Sequence, residues 1–189
     1  MTFAFAVALV LGTPGPTNTL LATGAATRGL RRCLPFMLAE LSGYLISITT
    51  IMIFIRPFAQ PLSATNIILR TLCGAYLLYL AATLWQARAS NETGDQIGFR
   101  QIFLTTLLNP KGLLFALFIF PDASAPLWRQ FQSFAIFTGI CAVACTGWLT
   151  FGALIGRNAG PFVTPRALRR GGAVVLAFFA IVIVGTLAR

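Results

Sequence analysis

Apolar residues are gathered into six long segments that are separated by short polar or arginine-bearing stretches. The segments run from about Phe3 to Thr23, Leu34 to Ile55, Ile67 to Ala87, Ile102 to Phe120, Phe131 to Ile155 and Gly171 to Ala188. A helix needs about 20 mostly apolar residues to cross a bilayer, and each segment is close to this length. The pattern predicts an all-α integral membrane protein with six transmembrane helices, or five if the first or the sixth segment does not cross.

The most polar linker, QARASNETGDQIGFRQ, divides the chain into two halves of three spans each. Similar residues recur in both halves at an offset of 96 or 98: Pro14 and Pro110, Ser42-Gly43 and Thr138-Gly139, Cys73-Gly74-Ala75 and Gly171-Gly172-Ala173. An odd number of spans per half makes the second half enter the membrane in the opposite sense. We therefore predict one membrane domain, residues 1–189, built as a 3+3 inverted repeat of about 1–90 and about 98–189.

The composition agrees with a chain embedded in lipid. Of the 189 residues, 57% are hydrophobic and 10% are charged, whereas a soluble domain carries about 25% charged residues. The net charge of +10 comes from arginines in short loops, so we expect no nucleic-acid partner. The four cysteines lack metal-ligand spacing and the chain has no histidine, so we expect no metal, no cofactor and cysteines that pack as small apolar side chains.

The arginines also predict the orientation in the membrane. Nine follow spans one, three and five: Arg28, Arg31, Arg32, Arg88, Arg100, Arg157, Arg166, Arg169 and Arg170. The other side holds at most four: Arg56, Arg70, Arg129 and Arg189. Because short cytoplasmic loops carry the excess of positive charge, both termini are predicted outside.

Spans one and four contain prolines near their centres. In span four, Asn109 is a good N-cap and Pro110 suits the first position of a helix, so we predict that a new half-helix starts at Pro110. In span one we predict that Thr13 caps and Pro14 starts the second half-helix, while Gly15 and Pro16 keep the backbone open. The alternative is two proline kinks that neighbouring helices satisfy.

Lys111 is the only lysine and lies beside the second break. A lysine at the centre of a span costs about 2.5–3.5 kcal/mol on insertion scales, so its presence calls for a function. Two half-helix N-termini that meet near the membrane centre offer N–H groups and partial positive charge, and with Lys111 they suit a carboxylate. We predict no catalytic residue and a substrate-binding site formed by Thr13, Pro14, Gly15, Pro16, Asn18, Asn109, Pro110 and Lys111.

Glu40 is an acidic residue inside span two, and such residues are functional candidates by default. It could hold a substrate ammonium group, carry a proton, or neutralise Lys111 or Arg70. Asp122 follows the end of span four and is a candidate gate residue near the membrane surface. Tyr76 in span three either lines the substrate path or packs at the interface.

Three stretches, TPGPTNTLL, CGAYLLYLAATLW and LLNPKGLLFALFIFP, are similar to the LysE/RhtB family of amino-acid exporters. The resemblance implies a multi-pass protein of the bacterial cytoplasmic membrane that exports a small amino acid or derivative by proton antiport. It places Pro14, Gly15, Pro16 and Asn18 on the family's first motif and Asn109, Pro110 and Lys111 on the second. The first motif usually reads PGPN, so either Thr17 or Asn18 takes the position of the family's asparagine.

Two other classes stay open on the sequence. A membrane thiol/disulfide oxidoreductase would need two reactive cysteines that face each other, whereas spans one and four hold none and Cys141 and Cys145 share one span. A channel or structural membrane subunit would not transport against a gradient. The expected partners are an amino-acid substrate, protons and the lipid bilayer, while the amino acid carried and the formation of a homo-oligomer are left open.

Overall fold

The computed structural model describes residues 3–58, 64–86, 97–122 and 124–157, together with single positions between 170 and 185. Within these residues the chain is helical and contains no strand, so the all-α class is confirmed for this part. Apart from those single positions, the sixth predicted span and linker residues 87–96 lie outside the described residues. The six-span inverted repeat therefore stays a prediction.

Eight α-helices make up most of the described chain. They are α1 (Phe3–Gly12), α2 (Pro16–Arg28), α3 (Leu30–Cys33), α4 (Phe36–Phe54), α5 (Ala64–Gln86), α6 (Phe99–Leu107), α7 (Pro110–Leu114) and α8 (Leu127–Arg157). A 3-10 turn at Arg56–Phe58 follows α4, and a π-helical turn at Phe115–Ile119 extends α7.

Two to four of these units are long and apolar enough to span a membrane. Leu30–Phe54 and Leu127–Gly156 qualify alone. The pair α1–α2, bent by 57°, and the pair α6–α7, bent by 41°, qualify if each pair counts as one broken span. The described structure is thus that of a multi-pass membrane protein.

Both bent pairs break where a proline removes a backbone donor. Gly15 precedes Pro16 in an extended conformation (φ −168°, ψ 178°), and Asn109 precedes Pro110 with φ −72° and ψ 128°. The proline ring pushes the residue before it out of the helical region, while proline itself is favoured at the first position of the next helix. Both of the spans in which a break was predicted are therefore broken.

The two bent pairs run antiparallel to each other. Phe3, which begins α1, packs edge to face on Phe120 after the π-helical turn, with ring centroids 5.3 Å apart. At the opposite end, the Arg28 guanidinium at the end of α2 donates to the carbonyl oxygen of Ile97, which precedes α6 (2.6 Å). The start of each bent pair thus lies beside the end of the other pair. The two breaks therefore face each other near the middle of the pairs.

Two apolar clusters lie on either side of the breaks. The first joins α1, α4, the π-helical turn and α8 through Val7, Val10, Leu11, Tyr44, Ile48, Met52, Phe115, Ala116, Phe120, Phe137 and Cys141. The second joins α2, α3, α4, α6 and α8 through Leu21, Ala25, Cys33, Phe36, Ala39, Ile97, Ile102, Cys145 and Leu149. Between the clusters lies a polar layer of buried side chains: Thr17, Asn18, Glu40, Thr106, Asn109 and Lys111. The fold thus places most of the buried polar side chains of the described residues at the level of the breaks.

Glycines permit the closest helix contacts around this layer. A Cβ atom on Gly152 or Gly156 of α8 would clash with backbone atoms of α2. A Cβ atom on Gly43 of α4 would lie 2.9 Å from the Cβ of Thr106 in α6. Gly139, the residue that the sequence repeat pairs with Gly43, has open space at this position. The similarity of these two glycines in sequence therefore does not extend to their packing.

Candidate functional site

The second half of the first broken span begins two residues later than the sequence predicts. Gly15 rather than Thr13 is the N-cap, and Pro16 rather than Pro14 is the first residue of α2. The Thr13 hydroxyl donates instead to the carbonyl oxygen of Val10 at the end of α1 (2.7 Å). Both prolines lack an N–H, but the second also forces the residue before it to be extended, so the helix cannot start earlier.

Side chains satisfy the carbonyl oxygens at the C-terminal end of α1, where helix geometry supplies no donor. The Asn18 side-chain amide donates to the carbonyl oxygens of Leu11 (2.9 Å) and Thr13 (2.8 Å). The Lys111 ammonium donates to the same Thr13 oxygen at 2.6 Å. A cation is favoured at a helix C-terminus, so Lys111 stabilises the open backbone of a helix from the other broken pair.

Thr17, rather than Asn18, faces the second break. The Asn109 side-chain amide donates to the Thr17 hydroxyl at 2.9 Å, and the Thr106 hydroxyl donates to the same oxygen at 3.2 Å. Asn18 is occupied by its two bonds to the end of α1. Of the two candidates for the position of the family's asparagine, Thr17 is thus the one at the contact between the broken spans.

Asn109 and Pro110 start α7 as predicted. The Asn109 side-chain oxygen accepts a hydrogen bond from the backbone N–H of Lys111 (3.0 Å), and Pro110 is the first residue of the helix. The same side chain reaches Thr17 in the first turn of α2. The N-terminal ends of α2 and α7, which both carry partial positive charge, therefore lie side by side.

Lys111 is almost completely buried, with 2% of its surface exposed. Its side chain crosses the first break at Gly15, where a Cβ atom would lie 3.2 Å from Lys111 Cε and 3.3 Å from Nζ. The missing side chain at Gly15 therefore leaves the room that the ammonium group occupies.

Glu40 on α4 is also 2% exposed and interacts electrostatically with Lys111. The two side chains form no direct ion pair within the described part of the chain. The Cys145 thiol of α8 lies beside the Glu40 carboxyl group. Among the described residues, Glu40 Oε2 and the Tyr44 hydroxyl have no hydrogen-bond partner. Buried polar atoms are seldom left without partners, so Glu40 retains the capacity to bind a proton or a cationic group. The side chain of Arg70, the other candidate partner, lies outside those described.

Asp122 lies apart from the polar layer. Its side chain is 80% exposed and pairs with Arg56, which follows α4, at 2.9 Å. The Arg56 guanidinium also donates to the carbonyl oxygens of Phe120 (2.9 Å) and Pro121 (2.7 Å). Arg56 therefore holds the end of the second broken pair against the end of α4. Of the three groups that accept hydrogen bonds from Arg56, the Asp122 carboxylate is the exposed one.

The structure thus brings together Thr13, Gly15, Asn18, Asn109 and Lys111 and places Glu40 beside them. Sequence reasoning missed Thr106, Tyr44 and Arg56. Tyr44 lies four residues after Glu40 in α4, so helical spacing would have placed it on the same face as a predicted site residue. Thr106 lies in α6, before the break, so only its nearness to Asn109 in sequence pointed to it. For Arg56 the sequence offers no such signal, because its partners are backbone carbonyl groups more than 60 residues away.

These features define a multi-pass α-helical membrane protein in which two broken spans meet at a buried polar layer. The chain belongs to the LysE type translocator family, whose family model matches residues 8–187. No curated protein and no solved structure matches the chain significantly. The family resemblance seen in the sequence is confirmed, and the protein is a membrane translocator.

Proposed function

We propose that this translocator exports a small amino acid or a close derivative across the bacterial cytoplasmic membrane in exchange for protons. Both termini lie outside in this proposal. The observation that carries it is the contact between the N-terminal ends of α2 and α7, with the Lys111 ammonium beside them.

The carboxylate of the substrate binds at these helix ends and at Lys111. Helix geometry leaves the first-turn N–H groups of α2 without an intrahelical partner, and they favour an anion. At the start of α7 the N–H groups of Lys111 and Gly112 already donate to Asn109, so this end contributes the Lys111 ammonium group and its partial positive charge. The carboxylate also competes with the Thr13 carbonyl oxygen for the ammonium group, because a charged acceptor forms the stronger hydrogen bond. When Lys111 turns towards the substrate, Thr13 retains its bond from Asn18. The first break therefore stays satisfied during binding.

Glu40 receives the ammonium group of the substrate or the proton that moves in the opposite direction. Two observations support either role: its Oε2 has no partner among the described residues, and Lys111 lies close enough to interact with it. A zwitterion then matches the layer, because its two charges meet groups of opposite charge.

The two halves of the chain rock against each other to open the site to one side at a time. On the outer side, Arg56 and Asp122 close the structure by joining the end of α4 to the end of the second broken pair. We assign the gate to the Arg56 guanidinium together with Asp122, since Arg56 makes all three of the contacts.

The test is efflux of radiolabelled amino acids from preloaded proteoliposomes with an imposed proton gradient. Lys111→Met preserves most of the volume of the buried stem and removes the charge, and we expect its efflux to fall by about tenfold or more. Arg129→Gln, which removes a charge from an exposed residue of α8, is the matched control and retains parental efflux. Parental efflux by correctly folded Lys111→Met would refute the site, and a gradient that does not affect efflux would refute proton antiport.

A further inference from the structure

A cavity of about 310 Å³ lies beside the second break, between α4, α5 and the α6–α7 pair. Its inner end is formed by Ser47, Asn109 and Pro110. From there it follows α4 to its C-cap Ile55, and α7 and the π-helical turn to Leu117, towards the end of the molecule that carries Arg56. The cavity therefore begins at the N-terminus of α7 and extends away from the breaks.

The lining of this cavity is polar at one end and aliphatic elsewhere. Ser47 and Asn109 supply a hydroxyl and an amide at the inner end, and Tyr76 of α5 adds a hydroxyl 3.5 Å from the Leu108 carbonyl oxygen. The remaining described lining consists of leucine, isoleucine and proline, and none of it is charged. Apolar walls with a few polar groups at one point are typical of small-molecule sites, and the volume lies at the lower end of their range of about 300–1,000 Å³.

The inner end of the cavity adjoins the proposed carboxylate position. The Asn109 side-chain oxygen binds the Lys111 N–H, and a Cβ atom on the next residue, Gly112, would lie 2.6 Å from the Ser47 hydroxyl oxygen. An amino acid whose carboxylate lies at the start of α7 thus has its α-carbon near the inner end of the cavity. Its side chain can enter without crossing the charged layer.

We propose that this cavity receives the side chain of the transported amino acid and that this side chain is uncharged and apolar. The inference rests on the proposed function and specifies its substrate class. An aliphatic side chain replaces water against aliphatic walls, which is favourable. A lysine or glutamate side chain would lose its hydration there without meeting a group of opposite charge among the described lining residues.

A second cavity of about 350 Å³ beside the first break provides a comparison. Its described lining is Gly12, Ala144, Gly147, Trp148 and Phe151. Gly147 and Phe151 lie 96 positions after Ile51 and Ile55 of the first cavity (147 − 51 = 96; 151 − 55 = 96). The described lining of the second cavity contains no hydroxyl or amide side chain. Of these two cavities, the one beside Asn109 is therefore the one that combines apolar walls with polar side chains next to the proposed substrate site.

The first experiment compares efflux of leucine, lysine and glutamate from preloaded proteoliposomes under one proton gradient. We expect leucine efflux to exceed that of the two charged amino acids by about tenfold or more. If lysine or glutamate leaves as fast as leucine, the proposed substrate class is wrong while amino-acid export stands. If none of a full amino-acid panel moves, the proposed function fails as well.

The second experiment changes the size of the cavity. Ile51→Trp fills it and is expected to lower leucine efflux relative to alanine efflux by about tenfold, since a pocket discriminates about 10–200-fold per methylene group. Ile53→Trp, on the same helix but 58% exposed and outside the cavity lining, is the matched control and leaves the ratio unchanged.

Ile51→Ala provides a variant that removes volume instead of adding it. We expect it to raise tryptophan efflux relative to leucine efflux. If both Ile51 variants transport alanine at the parental rate and keep the parental preference for side-chain size, the cavity holds a lipid chain or lies outside the substrate path, and the inference is overturned.

Discussion

The Lys111 ammonium donates a hydrogen bond of 2.6 Å to the Thr13 carbonyl oxygen and so joins the second broken pair to the first. The contact satisfies a carbonyl group that the break in the first span leaves without a backbone donor. It also holds the only lysine of the chain at the place where two helix N-termini meet. One side chain therefore stabilises the broken fold and, in the proposed function, supplies the positive charge for a substrate carboxylate.

A variant at Gly15 tests whether the position of this ammonium group matters for transport. The extended backbone at Gly15 suits any residue, so Gly15→Ala gains up to about 1 kcal/mol through the unfolded chain, and the displacement of the lysine end offsets this gain. We therefore expect little net change in the free energy of unfolding. The new Cβ atom would lie 3.3 Å from Lys111 Nζ, so the flexible end of the lysine must shift. We expect efflux to fall by about threefold or more, equivalent to about 0.7 kcal/mol.

The control for this variant is Gly12→Ala, because a Cβ atom at Gly12 meets no atom within 4 Å. Efflux assays in proteoliposomes distinguish the two variants. Titration with a denaturing detergent measures the free energy of unfolding of each. Equal efflux by both would show that the position of the lysine end is unimportant.

Arg56 and Asp122 should contribute unequally to the contact that joins the end of α4 to the end of the second broken pair, which we propose as the outer gate. Asp122 is 80% exposed, and an exposed ion pair contributes about 0–1 kcal/mol, so Asp122→Asn should change stability by no more than this. Arg56→Ala removes the donors to the Phe120 and Pro121 carbonyl oxygens and should cost about 2–3 kcal/mol. Unfolding in mixed micelles measures both, and an equal or greater loss for Asp122→Asn would contradict the assignment of the closure to Arg56.

The contact between α2 and α8 depends on glycines that have no room for a side chain. Gly152→Ala places a Cβ atom against the backbone of Ala22, which cannot move without its helix, so we expect a loss of about 1–3 kcal/mol. Gly139→Ala, on the same helix but with open space around it, should be neutral or stabilising by up to about 1 kcal/mol. A thermal unfolding scan of the two purified variants compares them, and the packing is wrong if they behave alike.

The sequence predicted the second break to the residue because local chemistry determines it. Asn109 can cap and Pro110 can only begin a helix, so the two residues together allow one arrangement. The first break has two prolines and offers two starting points. The choice of Pro16 over Pro14 depends on the extended residue before the second proline, which the sequence prediction did not weigh.

The contacts between spans could not be predicted from the sequence. The bond between Asn109 and Thr17 joins residues 92 positions apart, and it depends on how two broken pairs align along their length. A change of one residue in that alignment would have placed Asn18 there instead. The same alignment gives Lys111 its bond to Thr13, so the sequence could single out the lysine as a candidate site residue without predicting its partner.

The most direct test of a carboxylate site at Lys111 compares a transported amino acid with the amine that lacks its carboxylate. Each is used to compete with efflux of the radiolabelled amino acid in proteoliposomes. The account predicts that the parental protein prefers the amino acid over the amine by about tenfold or more and that Lys111→Met loses this preference while remaining folded. An undiminished preference in Lys111→Met would show that the carboxylate is recognised elsewhere and would contradict the account.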